Sequence, residues 1–435
     1  MRLSSLTTRF SVVRYFLVSL FLGLIISSDA LAAEGAGKID SGDTAWILVS
    51  TALVMFMTPG LAIFYAGMTR SKNVLGTIMQ SFFILCLISV QWVLFGYSLS
   101  FGTDVGGIIG SLNYLALNGV GMEANGTIPH ILFMMFQGMF AIITVALITG
   151  AMAERVKFSA VIIFSLLWAT LIYDPLCHWV WGGGWLGELG ALDFAGGIVV
   201  HISCGVSALV AALVLGKRKG FPRTPMPPHN LVLTVVGMGV LWFGWFGFNA
   251  GSALAANGNA AMALVTTNTA AAVGTLTWVF IEWIHRGKPT VLGAVSGAVA
   301  GLGSITPASG FIGPSSAMII GFVGGLICYS AVTILKPRLS YDDSLDVFGI
   351  HGIGGIWGTL SIGLFATIGA KGLFTGDPSQ LSKQFIAVIV TIVFCGVGTY
   401  IILKVVDKLV GLRVTEEDEV IGLDQTQHGE SGYTS

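Results

Sequence analysis

The sequence is poor in charge. Only 10% of its 435 residues are Asp, Glu, Lys or Arg, and 54% are hydrophobic, whereas an ordinary soluble domain has about a quarter of its residues charged. A soluble fold of this length cannot hide so many apolar side chains. The composition therefore predicts a protein that uses lipid as part of its solvent and satisfies its backbone polar groups inside helices.

Other patterns are missing as well. The net charge is −1, and the basic residues form no patch that could follow a phosphate backbone, which excludes nucleic acid as a partner. Period-two alternation is absent, which excludes a transmembrane barrel. The five cysteines stand singly, without the C-x-x-C spacing of a zinc or redox site, and are expected to be packed small hydrophobes. No metal, cofactor or enzymatic activity is expected. The cysteines are Cys86, Cys177, Cys204, Cys328 and Cys395.

What the sequence has instead is long apolar runs. They are close to the roughly 20 residues that a helix needs to cross a bilayer, and they predict an all-α polytopic membrane protein. Eleven transmembrane helices are predicted at 45–69, 76–101, 129–153, 158–178, 195–216, 230–250, 260–284, 290–306, 315–335, 347–369 and 385–406. The 59 glycines fall mostly inside these runs, which indicates close helix contacts and a narrow interior.

The first 32 residues have the form of a cleavable signal peptide. Three arginines precede an apolar core at 15–26, and Ala30-Leu31-Ala32 has the small-x-small form of a cleavage site. The alternative is an uncleaved twelfth helix. Residues 33–406 then form the eleven-helix domain, and 407–435 form a C-terminal tail.

The distribution of lysine and arginine predicts the orientation. With the mature N-terminus outside, fifteen of them lie on the cytoplasmic side, and only Lys38, Lys371 and Lys383 lie outside. This bias places the tail in the cytoplasm of a cell with a bacterial-type inner membrane.

Two segments echo each other. ALDFAGGIVVH, ending at His201, opens the fifth span, and SLDVFGIH, ending at His351, opens the tenth. Because five crossings separate them, the two copies enter the membrane from opposite faces. This is typical of a five-plus-five inverted repeat, in which the substrate path follows the interface between the halves.

Ionisable residues inside spans are costly, so each one needs an explanation. A lone histidine would suit a structural role, but His201 and His351 occupy repeat-related positions, which favours a pair of neutral, proton-exchanging rings in an apolar passage. Asp346 is expected to cap its helix. Asp193 lies near the outer mouth, where both capping and attraction of cations remain open.

Two glutamates stand at the inner ends of spans. Glu154 lies beside Arg155, and Glu282 lies near Arg286 and Lys288. Both are expected to form surface ion pairs.

Aromatic residues mass at the outward ends of the third, fourth and sixth spans, among them Phe136, Phe140, Trp181 and Phe248. An interfacial aromatic belt is one explanation. The glycine-rich runs HWVWGGGW and WFGWFGFNAGS favour another, a cage of ring faces for a desolvated cation, with Ser252 accepting its hydrogen bonds.

Seven segments, in order along the chain, form a recognisable set: MTPGLAIFYAGM, FQGMFAIITVALITGAMAERVKF, HWVWGGG, GALDFAGGIVVH, GWFGFNAGS, DVFGIHGIGG and the tail GLRVTEEDEVIGLDQTQHGE. Through them the chain resembles the ammonium transporter family (bacterial Amt, fungal Mep and, more distantly, animal Rh proteins) over essentially all of its mature length.

The resemblance implies a homotrimer with one path for ammonium or ammonia through each subunit, and methylammonium as an analogue. By motif, an outer recruitment site is formed by Phe136, Trp181 and Ser252 and supported by Asp193. Phe140 and Phe248 correspond to the gate, and His201 and His351 to the twin histidines of the pore. The tail is similar to the region that a PII-class nitrogen-signalling protein contacts. Asp174 departs from the family pattern, and the sequence gives no account of it.

Two other functions remain open at this point. One is an ammonium sensor that signals through its tail. The other is a membrane redox protein in which the two histidines are axial haem ligands.

Overall fold

The computed structural model describes residues 38–433. Within that range ten helices are long and apolar enough to cross a membrane, and an eleventh apolar helix is shorter. In chain order they are α1 Ser41–Met68, α2 Ser71–Phe101, α3 His130–Met152, α4 Phe158–Leu189, α5 Gly197–Leu215, α6 Leu231–Gly251, α7 Gly258–Arg286, α8 Val291–Ile305, α9 Pro314–Leu339, α10 Phe348–Phe365 and α11 Pro378–Val410. The predicted all-α membrane fold is confirmed, and the ten long helices together with the shorter α8 agree with the predicted number of eleven helices. The predicted signal peptide lies outside the described residues.

The largest boundary differences occur at α4 and α11. A turn at residues 182–184 interrupts α4 before its last segment, Trp185–Leu189. Helix α11 begins earlier than predicted, and its first turns are anchored to the loop between α4 and α5. The Gln380 and Gln384 amides donate to the carbonyls of Gly190 and Leu192 in that loop, at 3.0 and 2.7 Å. Apolar runs alone could not predict these polar turns.

Side-chain caps fix the beginnings of several spans. The first free N–H groups of a helix need acceptors, which Asp, Asn and Thr supply. Asp40 accepts from Asp43 N ahead of α1, Asn230 from Leu233 N in α6, and Asn257 and Thr290 serve α7 and α8 in the same way.

A loop with little regular structure joins α2 to α3. It contains two small antiparallel hairpins and a 3₁₀ segment, Leu112–Leu117. The strands are β1 Asp104–Val105 with β2 Ile109–Gly110, and β3 Ala124–Asn125 with β4 Ile128–Pro129. The first hairpin is tied to α4, because His178 Nε2 lies 2.8 Å from Asp104 Oδ1.

The two halves of the inverted repeat pack around one interior. Glycines let α1 and α6 lie against each other: a Cβ on Gly60 would meet Val240, and one on Gly237 would clash with the backbone of Phe64. The fifth helix of each half begins with a π-helical turn, Gly197–Ile202 in α5 and Phe348–Gly352 in α10. Each turn carries one of the two histidines.

A buried ion cluster ties several spans together at one of their ends, and it corrects the prediction of surface ion pairs. Glu154 is 2% exposed, and its carboxylate pairs with Arg70 and Arg218 at 2.7 and 3.1 Å. Arg218 also pairs with the buried Asp342 at 2.8 Å. Arg155, the neighbour expected as a partner, instead donates to the Asp342 carbonyl at 2.6 Å.

Glu282 departs from the expectation in a different way. Its carboxylate is buried and accepts from the backbone N–H and the hydroxyl of Thr290, at 3.0 and 2.9 Å. Local sequence proximity suggested Arg286 and Lys288, but the carboxylate turns toward the start of α8.

The cluster keeps its carboxylates charged. Burial alone raises the pKa of Glu154, but the guanidinium groups of Arg218 and Arg70 outweigh it and hold the pKa below its usual value. Asp342 behaves alike, since Arg218 and Arg155 lower its pKa against the effect of burial. Stability from a depressed carboxyl pKa is present above the unfolded value, near 4, and is lost as the pH falls through the folded value.

The tail returns to the same face. It contains α12 Glu416–Ile421 and a π turn, Asp424–His428. Asp424 Oδ1 accepts from Gly76 N at 2.7 Å, Glu419 accepts from Lys219 N at 2.5 Å, and Arg413 pairs with Glu419 at 2.7 Å.

Removing the central guanidinium tests the cluster. Arg218→Ala leaves two carboxylates buried beside one remaining partner, a change that costs about 3–5 kcal/mol at neutral pH. We expect the thermal midpoint of the purified protein to fall by several degrees at pH 7, and the difference from wild type to shrink below about pH 4. Arg223→Ala, in the exposed part of the same loop, is the control. Equal midpoints for the two variants would contradict this account.

Candidate functional site

The two histidines meet inside the membrane-spanning domain. His201 and His351 are 1% and 4% exposed, and their Nδ1 atoms lie 3.1 Å apart. The rings are nearly parallel, with an interplanar angle of 19° and centroids 5.2 Å apart. One Nδ1 therefore donates a hydrogen bond and the other accepts it, so this one proton fixes the tautomer of both imidazole rings.

Glycines bring the histidines together. A Cβ on Gly205 would clash with the backbone N and Cα of Gly352, and a Cβ on Gly355 would lie 2.8 Å from the Cβ of His201. Helices α5 and α10 can thus cross with their backbones in contact, directly beside both rings. Glycine is the residue that permits such an approach.

The rings line a small apolar cavity. Its free volume is about 20 Å³, which is room for about one water-sized molecule. His201 Nε2 has no hydrogen-bond partner within residues 38–433. Apart from the two histidines, the lining is hydrophobic: Met57, Leu61, Phe64, Ile143, Leu147, Val200, Leu241, Trp245, Phe248 and Val299.

Two phenylalanines pack together at one end of this cavity. The ring centroids of Phe140 and Phe248 are 4.3 Å apart, so nothing passes between them unless a ring turns. Phe136 packs against Phe140 at 5.1 Å, and Trp181 meets Phe140 edge-on at 5.9 Å. The structure therefore brings four of the predicted aromatic residues into one continuous cluster.

Ser252 lies at the end of α6, close to this cluster. Its hydroxyl donates to the carbonyl of Phe248 at 2.8 Å. The proton of the hydroxyl is thereby used, and its oxygen lone pairs remain able to accept from a donor such as an N–H group.

Asp193 is held by the beginning of α5. Its two carboxylate oxygens accept from four backbone N–H groups, those of Gly196, Gly197, Ile198 and Val199, at 2.6–3.1 Å. Its carbonyl accepts from the indole of Trp181 at 2.8 Å. Asp193 thus caps α5 and fixes the position of the indole, and its carboxylate is directed at the helix dipole.

Asp346 does not cap α10 as predicted. It has a positive φ of 61°, and its carboxylate pairs with Lys336 at 2.5 Å. The cap comes from Asp343, which accepts from Phe348 N at 2.8 Å. The echo between the two segments suggested the wrong aspartate, because it matched the two Leu-Asp pairs. The aspartate that stands eight residues before its histidine, as Asp193 does before His201, is Asp343.

Two residues beside the rings had no role assigned from the sequence. Trp245 stacks on His201, with centroids 5.6 Å apart and an angle of 23°. Cys204 follows His201 by three residues in α5 and is buried as a free thiol. The i, i+3 spacing placed its thiol on the same face as His201.

Asp174 has a local explanation. Its buried carboxylate accepts from the amide of Gln91 in α2 at 2.7 Å. It therefore links α2 to α4 and lies apart from the histidine cavity.

A wider cavity lies beside the buried ion cluster. It has a volume of about 420 Å³ and is lined by Phe64, Arg218, Glu282 and Lys336 among others. Phe64 borders both cavities. The order from one face to the other is an aromatic cluster, a narrow apolar cavity with two imidazoles, and a charged vestibule.

Comparison with known proteins agrees with the resemblance seen in the sequence. Residues 45–433 match the model of the Ammonium Transporter Family. An ammonium transporter of Bacillus subtilis is 54% identical over 400 residues, covering 90% of this chain and 98% of the relative. The crystal structure of Saccharomyces cerevisiae Mep2 superposes with a TM-score of 0.82 at 37% identity, covering 87% of this chain and 89% of that one. A structure described as a sensor Amt protein superposes with a TM-score of 0.84 at 30% identity, covering 89% and 98%.

The helix crossing can be tested with one methyl group. Gly205→Ala forces α5 away from Gly352, and overpacking of this kind costs about 1–3 kcal/mol. We expect a lower thermal midpoint and a longer Nδ1–Nδ1 distance in a solved structure. Gly239→Ala is the matched control, because a Cβ there meets nothing within 4 Å and alanine favours a helix by roughly 0.5–1 kcal/mol. If both variants are as stable as wild type, the crossing is not the constraint described.

The cap at Asp193 generates a second prediction. Asp193→Ala leaves four buried N–H groups without an acceptor, whereas Asp193→Asn keeps one oxygen. Since a lost cap costs about 0.5–2 kcal/mol and unpaired buried donors add to this, the thermal midpoint should decrease from wild type to Asn to Ala. Asp377→Ala removes an exposed carboxylate that accepts from Ser379 N and should change it little. An unchanged midpoint in Asp193→Ala would rule out the capping role.

Proposed function

Since this chain belongs to the ammonium transporter family, we propose that it recruits ammonium at the outer aromatic cluster and conducts ammonia past His201 and His351. The single observation that supports this most is the pair of imidazoles 3.1 Å apart in an apolar cavity with room for about one small molecule.

Energetics separate recruitment from conduction. Moving a full charge into an apolar bore costs on the order of 20 kcal/mol in the idealised limit, and several kcal/mol after relaxation. Cation–π contacts with Phe136 and Trp181 return only about 2 kcal/mol or a little more each. The cluster can hold ammonium at the mouth, with Ser252 accepting an N–H. The cation then loses its proton before it reaches the apolar cavity.

Below the mouth the species is neutral ammonia. It passes when Phe140 or Phe248 turns aside, a side-chain motion and not a rearrangement of helices. The proton follows separately along the two imidazoles, which makes net transport electrogenic. Potassium has no proton to lose and stops at the mouth.

Assembly and location follow the family. We place the chain in the cell inner membrane as a homotrimer, with its mature N-terminus outside and its tail in the cytoplasm. The docking of the tail on Gly76 and Lys219 supports a cytoplasmic regulatory surface, and a PII-class nitrogen-signalling protein is the proposed partner there.

The deciding experiment is electrical. Protein reconstituted on a solid-supported membrane and titrated with ammonium should give a saturable current, since a charge crosses with each ammonia. Ammonium uptake without any current would show that the proton does not follow.

Sensing is the second candidate, favoured by the structural similarity to the sensor Amt protein. Methylammonium uptake in transporter-deficient cells, measured for the full chain and for a tail truncation, separates the two. A transporter gives uptake with the full chain, whereas a sensor gives little flux with either. A bis-histidine haem site does not fit, because imidazole nitrogens 3.1 Å apart leave no space for a macrocycle between them.

The histidines should also act as the barrier to potassium. His351→Glu places a fixed negative charge in the cavity, which compensates a permanent cation. We expect potassium flux at least about tenfold above the parent, a change that needs only about 1.4 kcal/mol. His285→Glu, which puts the same charge outside this cavity, is the control. If His351→Glu carries potassium no better than the parent, the two imidazoles are not the barrier.

A further inference from the structure

Three potential metal ligands converge at the histidine pair. The ligand atoms of His201, Cys204 and His351 lie within 4.8 Å of one another, and all three residues are buried. We propose that these residues form a site for a soft monovalent cation of the copper(I) class, and that an ion bound there blocks the path. The blocking part rests on the proposed function, whereas the binding part does not.

The geometry needs little adjustment. Two metal–nitrogen bonds of about 2.0 Å from nitrogens 3.1 Å apart meet at roughly 100°, close to a tetrahedral angle. The ion would thus occupy the position of the shared proton. The Cys204 thiol now makes only a weak contact with the His201 carbonyl, at 3.5 Å, so a small rotation can bring its sulfur to the ion.

Charge balance selects the ion. A metal-bound cysteine is a thiolate, so copper(I) with one thiolate and two neutral imidazoles has no net charge. A zinc(II) ion with the same ligands keeps one positive charge in an apolar cavity. Potassium has no preference for sulfur or imidazole nitrogen, whereas copper(I) selects soft ligands.

The protons and counterion can be accounted for. Copper(I) arrives as its neutral chloride complex, exchanges chloride for the three protein ligands, and the thiol proton and chloride leave together. The ring that donated its Nδ1 proton takes up the Nε2-protonated tautomer, and at His201 this nitrogen is free of hydrogen bonds within the described residues. No redox step is involved.

A bound ion would stop transport for two reasons. The cavity has room for about one small molecule, and the ion sits against it. The shared proton between the rings would be gone, so the imidazoles could no longer pass protons.

Binding is measured first, independently of transport. The full-length protein in liposomes is loaded anaerobically with copper(I) chloride against a copper(I) chelator as competitor. We expect one copper per chain and an X-ray absorption spectrum with two nitrogen scatterers and one sulfur scatterer. Cys204→Ser should lose the sulfur scatterer and bind at least about tenfold more weakly, since even changes around the ligands of a metal cost that much. Cys177→Ser, which alters another buried free thiol, should match wild type.

Transport is measured next on the same preparations. Copper(I) should abolish the ammonium current of wild type and of Cys177→Ser, and the chelator should restore it. Cys204→Ser should keep its ammonium current and resist the same copper concentration. A wild-type spectrum without sulfur, or equal binding by Cys204→Ser, would overturn the site. Bound copper that leaves the wild-type current intact would overturn the block. A protein with neither ammonium current nor methylammonium uptake, but with the expected copper spectrum, would contradict the proposed function and leave the site standing.

Discussion

Because neither Gly205 nor Gly352 has a side chain, α5 and α10 cross with their backbones in contact. The crossing lies one turn or less from each histidine, so it sets the distance between the rings directly. Two imidazoles 3.1 Å apart share one proton and hold each other's tautomer. The cavity, its size and its chemistry all depend on this backbone contact, which any larger residue would prevent.

Charge is kept away from that contact at both ends. At one end, the Asp193 carboxylate is directed at four N–H groups of α5 and so caps that helix. At the other end, Arg218 binds Asp342 and Glu154, and none of these three residues lines the histidine cavity. The histidine cavity is therefore lined by hydrocarbon and two imidazoles, which is the environment that the proposed passage of a neutral molecule requires.

The sequence predicted the spans well, because a bilayer crossing imposes a length and a composition that can be read locally. The pairing of His201 with His351 could also be predicted, because the inverted repeat relates the two positions. The partners of individual side chains could not be predicted in this way. Glu154 binds Arg218, 64 residues away, and Asp343 caps the helix that Asp346 was expected to cap. The position of Cys204 as a potential metal ligand could not be predicted for a similar reason, since it depends on His351 in another helix. Local patterns predict elements, but a partner is decided by packing between elements.

The net charge of a species, more than its size, decides whether the apolar space beside the histidines can hold it. A potassium ion would give up its water for ligands that it does not prefer and would keep its charge. In the proposed mechanism, ammonium leaves its charge behind as a proton and continues as ammonia. Copper(I) becomes neutral by the opposite route, because the thiol of Cys204 loses a proton to receive it. In the two proposals together, the same two rings refuse one monovalent cation, pass the conjugate base of a second and retain a third.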